Sequence, residues 1–347
     1  MRIWHFHYYP PLSGGGLARY VLDFLRIFDA IDQRIVFCRS KDKFADDQAN
    51  LHVLPPGLMP LSDFKLELLQ KDDLVLFHVT HTPHASWRKF SDIASARVAR
   101  AIFVLHTDLE HSKFNSLQVW PDQLRLKFVD RAYTCSAESA RIIVFTEYQK
   151  SQLAYLSSVT ASVVPMPIYC DFEDSYESKT ATDKLLILGE RNLIKGYDRF
   201  IKFAALSPDL TFLSVGSGDI TCRSLPNGRV QEIETLPYHA SLRILRDSRA
   251  LLVFSRTESW GRTILEAYLF QKPVIAFEPV GVLRQVPKEW TAYVAGSNKC
   301  GITGMSEHAL AGIVSELKRT STERRIWALQ RNAEHQALWS HIIANMG

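Results

Sequence analysis

Short apolar runs alternate with amphipathic stretches along most of the chain. The runs in the first half are rich in β-branched and aromatic residues, and they predict strands at 2–8, 34–38, 51–54, 74–79, 102–105, 141–145 and 161–164. Apolar residues recur at helical spacing from Leu17 to Phe28 and between most of the later strands. This alternation is typical of a parallel sheet covered by helices on both faces, and it predicts an α/β fold.

The pattern breaks once, near the middle of the chain, and then restarts. Pro165 and Pro167 are followed by a polar segment from Asp171 to Asp183, which we interpret as a domain boundary. The second half predicts strands at 185–188, 211–215, 229–233, 250–254 and 273–277, and helices near 197–206, 239–247, 263–271, 306–318 and 322–345. We therefore expect two successive α/β domains, 1–167 and 168–329.

Length and composition fit two globular domains and exclude several classes of protein. The chain has 347 residues, 46% of them hydrophobic, and its net charge of +4 is too small to predict nucleic-acid binding. The five cysteines are scattered without a CxxC pair, which is typical of reduced thiols in the cytosol. We find no apolar signal-peptide core and no run of about 18 apolar residues, and we expect a cytoplasmic protein.

Glycine-rich loops follow several of the predicted strands. Ligands of parallel sheets bind at the carboxyl ends of the strands, where these loops lie. Gly14 to Gly16 precede the first helix, and Gly216 to Gly218 follow a strand of the second half. The first loop could let the backbone approach a phosphate or a sugar closely, although an ordinary strand-to-helix turn would also need glycine. The second loop could let a nucleobase or a ribose approach the backbone closely.

The stretch from Ser255 to Phe277 carries two carboxylates that bracket a predicted helix start. Glu258 lies in the loop before the helix and Glu266 in its first turns. A helix N-terminus attracts anions, so this stretch would suit a sugar carried on a diphosphate. Thr263 and Glu266 also fit a capping box, in which Glu266 would bind the Thr263 amide, and that interpretation stays open. Glu258 has no comparable local role.

Two cations and one histidine follow other predicted strands. Arg191 and Lys195 lie between Gly189 and Gly196, where they would neutralise a departing diphosphate or serve as ordinary solvated loop cations. His106 follows the fifth predicted strand, where it would point into a ligand crevice or hydrogen-bond a loop.

Histidine is enriched in the first half of the chain. His78, His81 and His84 form an HxxHxxH run, but Pro83 breaks the helix that would place the three rings on one side. We therefore expect no metal site there. Histidines and aromatic residues of the predicted N-terminal loops suggest carbohydrate stacking; they are His5, His7, Tyr8, Tyr9, His78, His81, His84 and Trp87.

Several of these motifs occur together in one known family. The motifs are Glu258-x7-Glu266 with the AYLFQKPVIA run that overlaps it, YPPLSGGG at 9–16, His106, and Gly189 with Lys195-Gly196. On these residues the chain resembles the GT-B glycosyltransferases, and within them the retaining glycosyltransferase family 4. The C-terminal LWSHIIANM is similar to the family's last helix. The resemblance implies two Rossmann-like domains facing a cleft, with a helix at about 330–347 crossing back to the N-terminal, acceptor-side domain.

The resemblance also implies a role for each candidate residue. Glu258 would bind the hydroxyls of the donor sugar, Glu266 the ribose hydroxyls, and His106 would face the reacting sugar. Arg191 and Lys195 would neutralise the leaving nucleoside diphosphate, so that no divalent metal or other cofactor is expected. The positions implied to contact the donor or its nucleotide are Gly15, Gly16, Gly216, Gly218, Gly261, Arg262, Thr263, Ile264, Leu265 and Glu266.

The chain departs from the family pattern at three places. Glu190 occupies the position where the family carries its arginine, so that Arg191 lies one residue later. The segment from Pro165 to Ile168 lacks the glycine of the family's PNGV motif. Gly281 is followed by Val-Leu-Arg instead of the usual proline and acid. These changes bear on the donor and on the hinge between the domains more than on the class of reaction.

We therefore expect a retaining glycosyltransferase that moves a sugar from a nucleoside-diphosphate donor to a carbohydrate or lipid-linked carbohydrate acceptor, in the assembly of surface polysaccharides or glycoconjugates. A nucleotide-sugar epimerase on the same fold and a non-catalytic nucleotide-sugar-binding protein stay open as alternatives. No nucleic-acid partner is expected. Basic runs at 87–89 and 125–128 would allow weak peripheral contact with the inner face of a membrane, or would form solvated helix faces.

Overall fold

The computed structural model describes residues 1–7, 16–37, 58–79, 90, 92–94, 96, 98–106, 141–153, 161–168, 182–222, 229–294 and 302–345. Several predictions fall outside the described residues, namely the strand at 51–54, Gly15, Tyr8, Tyr9, His81, His84, and the basic runs at 87–89 and 125–128. The chain divides into two compact units, Met1–Tyr169 with Arg331–Gly347, and Cys170–Gln330.

The first unit contains a seven-stranded, fully parallel sheet. Its strands are β1 (Ile3–His7), β2 (Gln33–Phe37), β3 (Leu58–Pro60), β4 (Leu74–Val79), β5 (Arg100–Leu105), β6 (Arg141–Val144) and β7 (Ala161–Val163), in the order β3-β2-β1-β4-β5-β6-β7. The order reverses between β1 and β4. In such sheets the reversal point opens a crevice for ligands beyond the carboxyl ends of the strands.

Burial on both faces explains why the strands of the first unit are nearly continuous apolar runs. Phe6, Phe77 and Phe103 come from three neighbouring strands and are fully buried in one cluster. Helix α1 (Gly16–Ile27) follows β1 and buries Tyr20 and Phe24, which stand four residues apart on one helix face. Helix α2 (Glu147–Leu153) follows β6.

The second unit repeats the design with six parallel strands. They are β8 (Leu185–Leu188), β9 (Phe212–Val215), β10 (Val230–Ile233), β11 (Ala250–Val253), β12 (Val274–Ala276) and β13 (Ala292–Tyr293), in the order β10-β9-β8-β11-β12-β13. Its helices are α3 (Tyr197–Ala205), α4 (Tyr238–Asp247), α5 (Arg262–Leu269) and α6 (Glu307–Arg319). The strand order reverses between β8 and β11, so the loops after these two strands flank the reversal point.

The last helix, α7 (Ser321–Ala344), reaches the first unit with its C-terminal half. Asn332 accepts a hydrogen bond from the Ile168 amide at 2.7 Å and donates one to the Ile168 carbonyl at 2.6 Å. His335 Nδ1 lies 2.7 Å from the carbonyl oxygen of Pro165. Trp339 is fully buried and packs edge-on against Phe24, with ring centroids 5.0 Å apart. These contacts fasten the end of the chain to helix α1 and to the segment after β7.

Most predicted elements form within one or two residues of the expected bounds, and two strands were missed. β3 has three residues and ends at Pro60, and β13 has only two residues. Runs this short carry no readable alternation of apolar and polar positions. No helix in the described ranges combines the length and hydrophobicity that crossing a membrane requires.

Candidate functional site

The loop after β11 places Glu258 against Lys195 from the loop after β8. Glu258 Oε1 accepts hydrogen bonds from Lys195 Nζ at 2.6 Å and from Ser255 Oγ at 2.7 Å. The Asn192 side chain in turn accepts a hydrogen bond from the Lys195 amide at 2.8 Å, which holds the loop in shape. The ion pair is partly open, with 35% of the Lys195 side chain and 15% of the Glu258 side chain exposed. A cation and a carboxylate thus meet where the strand order reverses.

Gly281 supports the Glu258 loop from the other side. Its φ of 49° lies in the left-handed region, and a Cβ there would collide with the Trp260 carbonyl and lie 3.0 Å from Glu258 Cβ. The Val282 amide donates to the same Trp260 carbonyl at 2.6 Å. Only glycine at position 281 allows its backbone to pack directly against the loop that carries Glu258. The sequence marked Gly281 merely as the start of a departure from the family pattern.

Glu266 lies on α5 and is held by two partners. Its Oε1 accepts hydrogen bonds from Arg262 Nε and from the Tyr238 hydroxyl, both at 2.9 Å, and Arg262 Nη2 also donates to the Tyr238 hydroxyl at 3.2 Å. Glu266 is only 2% exposed. Its burial is tolerable because the carboxylate is paired with a cation and hydrogen-bonded. Sequence reasoning missed Tyr238, which lies on a different helix.

The capping-box interpretation of Thr263 and Glu266 is wrong. Helix α5 begins at Arg262, and Gly261 precedes it with a φ of 87° and no side-chain capping bond. A capping box would require Thr263 itself to precede the helix. Arg262, Thr263, Ile264 and Leu265 therefore form the first helical turn, and the Ile264 amide donates to the Gly261 carbonyl at 3.0 Å.

Arg191 follows β8, as expected, but it contacts a different carboxylate from Lys195. Its Nη2 donates to Glu234 Oε1 at 2.6 Å, and the Glu234 side chain is 75% exposed. Burial lowers the pKa of the Arg191 guanidinium, but the hydrogen bond and charge of Glu234 outweigh this effect and raise the pKa above its ordinary value. Within the described ranges no hydrogen bond or ion pair joins Arg191 to Lys195 or Glu258. The two cations that sequence reasoning paired therefore point to different partners.

Gly216 and Gly218 have a packing role at the end of β9. A Cβ at Gly216 would collide with the Gly189 carbonyl, and one at Gly218 with the Arg191 carbonyl. The loops after β8 and β9 thus pack backbone to backbone. This contact explains both glycines without a ligand.

His106 directly follows β5 in the first unit and is 7% exposed. Its Nε2 lies 3.0 Å from His78 Nδ1. Burial holds the pKa of His106 well below its usual range, and the nearby His7 lowers it further. Gly16 is the first residue of α1.

The histidines described within β1 and β4 lie inside the sheet and not on a loop surface. His5, His7 and His78 lie within strands β1 and β4 and are buried, so the expectation that they line N-terminal loops is wrong. Among the described residues, no group of three or more His, Cys, Asp or Glu side chains is arranged to hold a metal ion.

Comparison with known proteins gives structural relatives only. No family model and no curated protein matches the sequence. Among solved structures, the chain is similar to Anabaena HepE in complex with UDP and glucose, at a TM-score of 0.72 and 15% identity over 99% of this chain and 100% of that one. The fold is GT-B.

Two further GT-B structures align over the whole chain. A Staphylococcus aureus TarM variant, in complex with fondaparinux, α-GlcNAc-glycerol and UDP, has a TM-score of 0.70 at 12% identity and covers 100% of this chain and 99% of that one. The pneumococcal O-GlcNAc transferase GtfA, in complex with UDP and GlcNAc, has a TM-score of 0.66 at 13% identity over the same shares. The likeness confirms the two-domain α/β architecture expected from the sequence.

Proposed function

We propose that the protein is a glycosyltransferase that moves a sugar from a nucleoside-diphosphate donor to an acceptor hydroxyl with retention at the anomeric carbon, as in glycosyltransferase family 4. The observation that carries the proposal is the contact of Lys195 with Glu258 at the strand-order reversal of a GT-B chain. Structures similar to this chain hold UDP, in HepE and GtfA together with a sugar.

Lys195 is the cation we assign to the leaving diphosphate. Negative charge develops on the diphosphate as the glycosidic bond breaks, and a cation already in place stabilises it without reorganisation. The ammonium group is partly exposed and follows β8, so it can exchange Glu258 for a phosphate oxygen. The N-terminus of helix α5 carries the positive end of the helix dipole and would add to the attraction. With these groups, the reaction as proposed needs no divalent metal.

Glu258 and Glu266 would bind the two sugars of the donor. Glu258 lies beside the diphosphate cation and would accept hydrogen bonds from hydroxyls of the transferred sugar. Glu266 would accept them from the ribose, with its carboxylate oriented by Arg262 and Tyr238. Arg191 would join the diphosphate after leaving Glu234, whose largely exposed carboxylate can return to water.

The acceptor is proposed to be a carbohydrate or a lipid-linked carbohydrate, and the product a surface polysaccharide or glycoconjugate. The resemblance to family 4 supports this part of the proposal, together with the fondaparinux and α-GlcNAc-glycerol named in the TarM complex. Peripheral contact with a membrane would bring a lipid-linked acceptor within reach.

A panel of nucleoside diphosphates and their sugars tests the donor half of the proposal. A ligand present at about 100 times its Kd stabilises the fold by about 2.7 kcal/mol, which is a measurable shift in Tm. Release of nucleoside diphosphate that depends on an acceptor, with an unchanged anomeric configuration in the product, would support retaining transfer. Conversion of the donor without an acceptor would indicate an epimerase, and binding without turnover a non-catalytic protein.

Lys195→Ala should reduce turnover by roughly 10²–10³-fold. Lys202→Ala is the matched control, because Lys202 is an exposed lysine on α3. Equal activity of both variants would refute the assignment of Lys195.

A further inference from the structure

Four buried polar side chains form a hydrogen-bonded row across the first sheet. Gln33 lies on β2, His5 on β1, His78 on β4, and His106 directly after β5. Gln33 Oε1 lies 3.0 Å from His5 Nε2, His5 Nδ1 lies 3.0 Å from His78 Nε2, and His78 Nδ1 lies 3.0 Å from His106 Nε2. None of the four is more than 7% exposed. The row crosses the strand-order reversal between β1 and β4.

The orientation of the first member is fixed by backbone carbonyls. Gln33 Nε2 donates to the Phe28 carbonyl at 2.8 Å and to the Leu25 carbonyl at 3.2 Å. The amide oxygen of Gln33 must therefore face His5. Because an amide oxygen only accepts hydrogen bonds, His5 Nε2 must carry a proton.

Each histidine of the row is neutral near pH 7. Burial lowers the pKa of His5 to about 4, even though its hydrogen bond with Gln33 acts in the opposite direction. Burial, followed by the charges of neighbouring histidines, holds the pKa values of His78 and His106 well below 6.5. A neutral imidazole has one N–H donor and one nitrogen acceptor, so the proton position on one ring dictates the next.

The proton positions follow in sequence from Gln33. His5 carries its proton on Nε2, so its Nδ1 accepts from Nε2–H of His78. Nδ1 of His78 then accepts from Nε2–H of His106. His106 is left with a bare lone pair on Nδ1.

Nδ1 of His106 is buried and has no hydrogen-bond partner in the described part of the chain. Its ring packs against the rings of Tyr20 and Phe145, with centroids 4.8 and 5.1 Å away. A buried acceptor without a partner costs about 1–3 kcal/mol, and a ligand that supplies a donor would recover this energy.

We propose that Gln33, His5 and His78 form a relay that locks His106 in the Nε2–H tautomer, so that Nδ1 accepts a hydrogen bond from a hydroxyl or N–H group of the bound substrate. Gln33, His5 and His78 are positioning residues, since they act through His106. The relay deepens the proposed function and rests on it only for the nature of the substrate. The tautomer itself is a property of the free protein.

Two substitutions of His78 distinguish the effect of its hydrogen bonds from the effect of its packing. Gln and Met have side chains of nearly equal length. His78→Gln retains one donor for His5 and one acceptor for His106, whereas His78→Met offers no donor and only a weak acceptor. The ring nitrogens can be observed in the free protein by ¹H–¹⁵N spectroscopy with labelled histidine, and the His106 signal is assigned by its loss in His106→Gln.

We expect wild type and His78→Gln to show His106 protonated on Nε2 alone. His78→Met should show a mixture of tautomers or a proton on Nδ1. A proton on Nδ1 in the wild type would overturn the proposal. So would an unchanged Nε2–H tautomer in His78→Met, because the relay would then not set it. The wild-type spectrum decides even if a variant fails to fold.

Kinetics give the functional readout. The kcat/KM of His78→Met should fall by roughly 2- to 10-fold, the value of one hydrogen bond, while His78→Gln stays near wild type. Equal losses in both variants would argue against the relay and for a purely structural role. If the tautomers behave as expected and no donor is turned over, the proposed function fails and the relay stands.

Discussion

Lys195 Nζ and Glu258 Oε1 lie 2.6 Å apart although 63 residues separate them in the chain. The contact joins the loops after β8 and β11, whose strands are neighbours in the sheet. Each side chain therefore holds the other at the edge where a ligand of a parallel α/β sheet binds. The contact predicts that substitutions of Lys195 and Glu258 have coupled effects on activity.

The two residues should be energetically coupled in turnover. Lys195→Ala and Glu258→Gln should each reduce kcat/KM strongly, and the double variant should lose less than the sum of the two losses. Residues in direct contact typically show coupling energies of 0.5–3 kcal/mol. The measurement is the rate of nucleoside-diphosphate release for all four proteins. Strictly additive losses would contradict a shared role.

Tyr238→Phe should weaken nucleotide binding through Glu266. The substitution removes the hydroxyl that donates to Glu266 and accepts from Arg262, and it leaves buried polar groups short of a partner. Such a loss typically costs about 1–3 kcal/mol, part in stability and part in affinity. Calorimetric titration with the nucleoside diphosphate measures the affinity part. Tyr293→Phe on β13 is the control. An equal loss of affinity in that variant would contradict a role for Glu266 in nucleotide binding.

Gly281→Ala should destabilise the second unit by more than 2 kcal/mol, on the order of the largest common effects of single substitutions. The new Cβ would meet the Trp260 carbonyl, and alanine tolerates a φ of 49° poorly. Gly312→Ala on α6 provides the matched control, because nothing lies within 4 Å of a Cβ at that position. There alanine should stabilise the helix by about 1 kcal/mol. Urea unfolding of the two variants should show shifts of opposite sign.

Stability should fall as the pH drops from about 6.5 to about 4. Burial lowers the pKa values of His5 to about 4 and of His7 and His335 to about 3, so the unfolded chain binds protons that the folded chain refuses. The stabilisation is complete above pH 6.5 and is lost on acidification toward the folded pKa values. For His5 alone the shift corresponds to about 3 kcal/mol.

His335→Asn tests this assignment of the acid sensitivity. Asparagine keeps an N–H donor for the Pro165 carbonyl but does not titrate, so the variant should lose less stability than wild type between pH 6.5 and 4. The measurement is the free energy of unfolding in urea at several pH values. The carboxylates are the same in both proteins, so their contribution cancels in the difference between the two curves. Parallel curves for both proteins would show that His335 is not a source of the effect.

Periodicity along the chain predicted most of the fold because strands buried on both faces leave long apolar runs. It could not predict β13, since two residues show no period, nor the partners of Glu266, since Tyr238 lies on another helix. Thr263 and Glu266 have the residue types and the spacing of a capping box. The prediction was wrong because the left-handed Gly261 starts the helix at Arg262, one residue before Thr263.

For the candidate site, the sequence predicted only which residues lie in the loops directly after strands, and not which of them contact each other. Lys195 and Glu258 emerged from their positions after β8 and β11, and the structure brings them into contact. Arg191 has the same kind of position, yet its partner is Glu234, which no local pattern identifies. The hydrogen-bonded row of Gln33, His5, His78 and His106 could not be predicted from the sequence, because its members lie on four different strands or strand ends. Each one alone resembles an isolated polar residue in an apolar run.

The boundary between the two units falls within helix α7, so only one of the two units is a single continuous segment of the chain. Cys170–Gln330 is one continuous piece of chain, whereas the first unit combines two separate segments, Met1–Tyr169 and Arg331–Gly347. A fragment ending at Tyr169 would leave the Pro165 carbonyl and the Ile168 backbone without His335 and Asn332, and would uncover the face of Phe24 that Trp339 covers. The packing of helix α1 and of the segment after β7 is therefore completed by residues that follow the whole second unit in the sequence.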